Sequence, residues 1–270
     1  MVEVLIDNKK RFLPSRWNEL TRDQLIYVCS IFGKYGTLAS FQVNILRKFL
    51  SLGLKQFKKI APDDVIFLSE SFSFLQNDVT LTRCLVKSIR MPRFPWTRYT
   101  GPTDNMSECT FGEFIKAQVR YEQYASAPDA RALDELAAIL YRPRKWFWLI
   151  SKRFTESNDP RQRFIDKSLP ARAGRMSRVD HATKYSVFLF LSGIQASLME
   201  KFPNVYRQSG GSDKSDLSGW TSLVISLADG KTDDASLNCI MNSNLYNVFF
   251  GLEKKSIDYY ELKRKFPEND

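Results

Sequence analysis

The sequence predicts a mainly α, multi-helix globular protein with a small N-terminal β element. Three observations predict it. Apolar residues recur at helical spacing through most of the 270 residues, oxygen-bearing side chains stand where helices would start, and strict alternation is confined to the first few positions. Hydrophobic residues make up 43% of the chain and aromatic residues 13%, which is ample for a packed core and excludes wholesale disorder.

The elements follow in order. Val2, Val4 and Ile6 alternate with Glu3, Leu5 and Asp7, the period of a short strand. Asp7-Asn8-Lys9 is its turn, and Phe12-Leu13 returns as a second strand before Pro14. Thr21 with Gln24 three residues on is a capping box, and Leu25, Val28, Cys29 and Phe32 give that helix its apolar face. Gly33 and Gly36 stop it. A second helix runs from Phe41 to Leu52 on the stripe Ile45, Phe49 and Leu52, with Gly53 as its end. Pro62-Asp63-Asp64 suits the first turn of a third, continued by Val65, Leu68 and Phe72. Thr80 to Ile89 fits helix or strand.

Met91 to Pro102 contains three prolines and a glycine and reads as a linker. Thr110, with Glu113 three positions on, opens a helix that buries Phe111, Phe114, Ile115 and Val119. Leu133, Leu136, Ala137, Leu140 and Tyr141 form a clean amphipathic face, and Arg142-Pro143 terminates it. Asp180 caps a helix that is apolar on every side around Val187, Phe190 and Leu191, the pattern of a central core helix. Gln208 to Ser215 is a polar loop. Trp220, Leu223, Val224 and Leu227 begin a penultimate helix, and Leu245, Val248, Phe249 and Leu252 mark the last, which frays from Glu261 onward. The expected organisation is an N-terminal helical region over residues 1–90, a proline-rich linker at 91–109, central helices over 110–206 with a basic loop at 142–184, and C-terminal helices at 217–266 packing on the central part.

The formal net charge is +10, which favours acidic partners. Much of it lies in residues 142–184, where twelve basic residues stand against four acidic ones. The middle of that segment, Asp159 to Ser177, has few large apolar residues and is expected to be an exposed loop or loosely held arm. Within the segment, Trp146-Phe147-Trp148 is flanked by cations. Such a patch binds single-stranded nucleic acid by stacking, or else the rings are core and the cations its rim; the sequence leaves both open.

Catalytic chemistry is not visible. Cys29, Cys84, Cys109 and Cys239 form no C-x-x-C pair, so no zinc site is expected and the thiols should be reduced and mostly buried. The single histidine, His181, follows the Asp180 cap and reads as a first-turn surface residue. Gly230-Lys231-Thr232 resembles the end of a phosphate-binding loop, but position 225 is Ile where that loop needs Gly. The expectation is no enzyme, no catalytic residue, no metal and no cofactor. The N-terminus does not read as a secretory signal. The most apolar run, Val187 to Leu191, is far short of the roughly 20 residues of a membrane span. No membrane association and a cytoplasmic location are expected.

A set of short words is familiar: Tyr99-Thr-Gly-Pro-Thr-Asp104, Thr110-Phe-Gly-Glu-Phe114, Tyr121-Glu-Gln-Tyr124 and Leu136-Ala-Ala-Ile-Leu-Tyr-Arg-Pro143. In this order they resemble a family of phage and prophage proteins of Bacteroidetes that are encoded among tail genes and look like tail assembly chaperones or minor tail-assembly factors. Asn18-Glu-Leu-Thr21, Gly219-Trp220 and Asn244-Leu-Tyr246 are similar too. The resemblance implies a non-enzymatic role in virion assembly, with phage tail structural proteins as partners, in the host bacterium or associated with the virion. It carries no active site. A basic nucleic-acid-binding protein is the alternative. The expected partner contacts are Trp146, Trp148, Arg153, Arg161 and Arg163, because Trp and Arg most often anchor interfaces and here adjoin a segment too polar for a core of its own.

Overall fold

The computed structural model describes residues 1–6, 9–32, 34, 37–91, 98–145, 159–208, 225, 227–228, 231 and 233–265. The alternating N-terminus forms strands β1, Val2–Ile6, and β2, Lys9–Leu13, paired antiparallel with Val2 opposite Leu13. One face turns Leu13 into the core, while Leu5 and Phe12 stay exposed on the other. The expected Asp7-Asn8 turn lies outside the described residues.

Helix α1, Arg22–Ile31, begins at the expected capping box: the Thr21 hydroxyl accepts from the Gln24 N–H at 3.3 Å, and Gln24 Oε1 accepts from the Thr21 N–H at 2.8 Å. α2, Leu38–Phe49, starts earlier than its apolar stripe suggests, because Thr37 rather than Phe41 marks the entry and caps Ser40. A short α3, Leu54–Phe57, has no counterpart in the sequence reading, and Gly53 serves as its cap rather than only as a stop. α4, Pro62–Glu70, has Pro62 in its first turn as expected.

The ambiguous stretch before residue 90 resolves into irregular chain followed by strand β3, Ser88–Arg90. It pairs with β4, Arg98–Thr100, which pairs in turn with β5, Arg142–Pro143. Residues 98–102 therefore belong to packed structure, although composition reads them as the end of a linker. Tyr99 is fully buried, and a Cβ at Gly101 would stand 2.8 Å from the Tyr141 ring. Asp104 Oδ1 accepts from the Cys84 N–H at 2.9 Å and pairs with Lys87, which closes the turn beneath this sheet.

α5, Phe111–Ser126, and α6, Ala130–Leu140, form a helical hairpin. Leu133, Leu136, Ala137, Leu140 and Tyr141 are all buried, as the amphipathic pattern requires. Each buried leucine contributes about 1.5–3 kcal/mol of hydrophobic transfer energy, before entropy is set against it. The expected exposed arm is a correction. Residues Asp166–Ser168 form a 3-10 turn leading into α7, Leu169–Met176, which packs on α6 through Ala173 and Met176. Small and mixed residues on that face give a weak hydrophobic signal, and contact with α6 overrides it.

α8, His181–Lys201, is the central helix, touching α1, α5, α6 and the short α9, Pro203–Gln208. Asp180 caps it through the Thr183 N–H at 2.8 Å. Val187, Leu189, Phe190, Leu191, Ile194 and Leu198 are buried on its several sides. His181 is exposed, as expected, with its Nε2 3.2 Å from the Tyr124 hydroxyl. The chain ends in α10, Asp234–Asn242, and α11, Leu245–Lys265, which buries Leu245, Val248, Phe249 and Leu252. Trp220, Leu223 and Val224 of the expected penultimate helix lie outside the described residues. Together the elements make a mainly helical protein with two small sheets, and buried residues from Leu13 to Leu252 join in one hydrophobic cluster.

Two predictions follow from this packing. A Cβ at Gly193 would run into the backbone of Leu81, which cannot swing aside as a side chain could. Gly193→Ala is expected to lower stability by about 1–3 kcal/mol, read as an earlier urea midpoint at unchanged slope. The four cysteines are free, with Cys29, Cys84 and Cys109 buried and Cys239 exposed. Burial pushes the Cys29 thiol up to about 12 and the Cys84 thiol up to about 11. A thiol reagent should titrate Cys239 alone in the native protein and all four cysteines in denaturant.

Candidate functional site

A polar interior forms where several stretches of chain meet. The first turn of α5 brings Glu113, the exit of α6 into β5 brings Arg142, and the returning chain brings Asp159 and Arg161. Thr110 accepts from the Glu113 N–H at 3.3 Å and so fixes the turn. The spacing of Thr110 and Glu113 suggests a reciprocal capping box, but the Glu113 side chain points inward instead. Two cations in a dry site attract a carboxylate more strongly than one backbone N–H does.

The cluster is tightly specified. Arg161 Nη1 lies 2.7 Å from Glu113 Oε1 and 2.8 Å from the Leu140 carbonyl. Its Nε and Nη2 each lie 2.9 Å from an oxygen of Asp159, and Nη2 also reaches Cys109 Sγ at 3.1 Å. Arg142 Nη2 donates to Glu113 Oε2 at 2.8 Å and to Asp159 Oδ2 at 3.3 Å. The side chains of Arg161, Arg142 and Glu113 are all within 3% of full burial. Nearby, Phe164 lies between Lys116 and Arg172, each 5.3 Å from its ring centre. Arg172 is itself buried, with Nε and Nη2 lacking a hydrogen-bond partner among the described residues.

A cleft of about 450 Å³ opens over this cluster. Its rim carries Lys145, Arg163 and Asn242, and Arg163 donates to Asn242 Oδ1 at 2.8 Å. The cluster also joins two passing chains. Lys145 N donates to the Pro160 carbonyl and Gln162 N to that of Pro143, both at 2.9 Å, and Arg144 bridges Arg161 antiparallel. Lys145 Nζ donates to the Asp159 carbonyl at 2.9 Å. The chain at 143–145 and the chain at 160–162 are thus held side by side over a buried ion cluster.

Of the expected contacts, Trp146, Trp148 and Arg153 lie outside the described residues. Arg163 is exposed on the rim, whereas Arg161 is 1% exposed and forms the floor. The exposed placement expected for Arg161 is therefore corrected: carboxylates 46 residues apart enclose it. Glu113 and Asp159 were missed as site residues because their spacing mimics a helix cap and a loop acid; Arg142 read only as a helix-terminating cation. Only the unusual Arg density of 142–163 signalled that buried acids were needed.

Chemically the arrangement is a clamp. Each floor carboxylate accepts from arginine. Burial pushes the Cys109 thiol up, with Glu113 and Asp159 adding to the effect against Arg161, which leaves a poor nucleophile at neutral pH. No group of three or more His, Cys, Asp or Glu able to hold a metal occurs among the described residues, and no helix among them is long and apolar enough to cross a membrane. Compared with models of protein families, with curated proteins and with solved structures, the chain finds no match.

Breaking a buried ion cluster by removing one member leaves uncompensated charge. Arg161→Ala should cost about 3–5 kcal/mol, and Arg163→Ala less than about 0.5 kcal/mol. Urea unfolding of the two variants checks the contrast; similar losses would mean that Arg161 is not clamped.

Proposed function

We propose that the protein works without catalysis, as an interaction factor in phage or prophage tail assembly that binds an acidic face of a tail structural protein in the host cytoplasm. The observation that carries this reading is the clamp that ties the chain at 142–145 to the chain at 159–162. A buried ion cluster is a poor source of net stability, because desolvation offsets most of its attraction, but it fixes geometry well. Here it fixes the described chain on either side of a sequence that contains Trp146, Trp148 and Arg153, residue types that anchor interfaces. Arg144 and Arg163 add exposed cations beside the clamp. In this reading Trp146, Trp148, Arg153 and Arg163 contact the partner, and Arg161 positions them. The resemblance across residues 99–143 supplies the setting.

Nucleic-acid binding through residues 142–184 is the second reading. Among the described cations there, Arg142, Arg161, Arg172 and Lys184 are buried, and the Lys184 ammonium is taken up by Asp134. Binding to a phosphate backbone needs exposed cations, so this burial favours a protein partner. The test is co-expression with the products of neighbouring genes. Trp148→Ala combined with Arg163→Ala should weaken partner capture by about tenfold or more while shifting the melting temperature by less than about 2 °C. Unchanged capture overturns the contact assignment. Micromolar DNA or RNA binding that falls steeply with salt and is lost in the same variant would replace the protein partner with nucleic acid.

A further inference from the structure

A separate cavity of about 460 Å³ shares no lining residue with the cleft. Among the described residues its wall carries Arg22, Lys87, Arg90 and Arg98, against a single acidic residue, Asp180. Arg90 and Arg98 are direct cross-strand partners in the β3–β4 pair. Like charges placed opposite one another on a sheet repel and cost stability, so their pairing calls for an anion between them. The described residues around them do not provide one. Asp180 Oδ1 is occupied by the Thr183 N–H at 2.8 Å, and Asp104, which pairs with Lys87, is not part of the lining. The side chains of Arg22 and Arg90 make no hydrogen bond or ion pair with any described residue.

Arg98 is held in place. Its Nε donates to Ser88 Oγ at 2.7 Å, which leaves both Nη groups available. Arg22 is the first residue of α1, and Asp180 and Thr183 begin α8, so the positive ends of two helices meet at the same cavity. Leu85, Ile89 and Val179 complete the lining among the described residues. The volume falls in the range of small-ligand sites, roughly 300–1,000 Å³. Planar guanidinium forks match phosphate oxygens in pairs, and several forks around one small cavity match more than one phosphate group.

We propose that this cavity binds a small anion carrying two or more linked phosphate groups, gripped by Arg22, Arg90 and Arg98 with Lys87 at its edge. The charged group is what is recognised, whether it comes as free polyphosphate or as the chain of a nucleotide. This site is independent of the partner clamp and of the reading built on it.

The test is calorimetric titration of the full chain with sodium tripolyphosphate, in parallel with ATP and a short oligothymidylate. Tripolyphosphate should bind at low salt, and Arg22→Ala with Arg90→Ala should weaken it by about tenfold or more. Both arginines are exposed, so the melting temperature should hardly move. ATP binding as tightly as tripolyphosphate supports recognition of the phosphate chain alone. Tighter binding of ATP that is still lost in the variant supports the site and names a nucleotide as its source. Three results overturn the proposal: no heat at millimolar tripolyphosphate, equal affinity in the folded variant, or an equal loss in Arg163→Ala, which would mean diffuse charge attraction. Oligothymidylate binding that outcompetes tripolyphosphate and survives the variant also counts against it.

Discussion

Two guanidinium groups and two carboxylates removed from water must answer one another completely, because each unpaired charge in such a place costs several kcal/mol. The pairing of Arg142 and Arg161 with Glu113 and Asp159 meets that condition for the charges, with the N–H groups of Arg161 spread over Glu113, Asp159, Cys109 and the Leu140 carbonyl, while Arg142 Nε keeps no hydrogen-bond partner among the described residues. The condition has a structural price: the start of α5, the exit of α6 and the chain at 159–161 can occupy only one relative arrangement. The three-stranded sheet inherits its third strand from this, since β5 contains Arg142 itself. The returning chain that leads into α7 is tied to the same point, and α7 then covers α6.

A second buried pair, Lys184 with Asp134, joins α8 to α6. Apolar burial drives these helices together without direction, since area removed from water does not distinguish one register from the next. Charged pairs do distinguish registers, because a one-residue slip would strand them. The molecule thus separates two roles: leucines, valines and phenylalanines supply the cohesion, and a few enclosed ions select the alignment. Close backbone contacts act in the same way, as where Gly193 lets the Leu81 backbone approach α8.

What could be read in the sequence was local. The Thr21 box, the Asp180 cap, the apolar face of α6 and the all-round apolarity of α8 each depend on residues within a turn or two of one another, and each is present in the fold. The features that escaped depend on partners far along the chain. Glu113 carries the spacing of a capping residue and meets its partners 29 and 48 positions later. Arg161 belongs to a run of cations that reads as a solvated surface until Asp159 and Glu113 are folded around it. Tyr99 stands among prolines that suggest a linker, and only pairing with β3 and β5 shows it to be core. Periodicity detects a face, whereas an ion pair between distant segments leaves no periodic trace.

The joint between α5 and α11 sets a timetable. The N–H of Phe111 donates to the Ser243 carbonyl, and the N–H of Leu245 donates to the Cys109 carbonyl. These bonds close the entry to α5 with groups that a ribosome adds more than a hundred residues later. At roughly 5–20 residues per second, that interval is on the order of ten seconds. Throughout it the nascent chain holds Cys109 and Phe111 without their final backbone partners, although Arg142, Asp159 and Arg161, the later members of the ion cluster, are all added before Ser243. The middle of the protein is therefore finished last, by its own C-terminal helices.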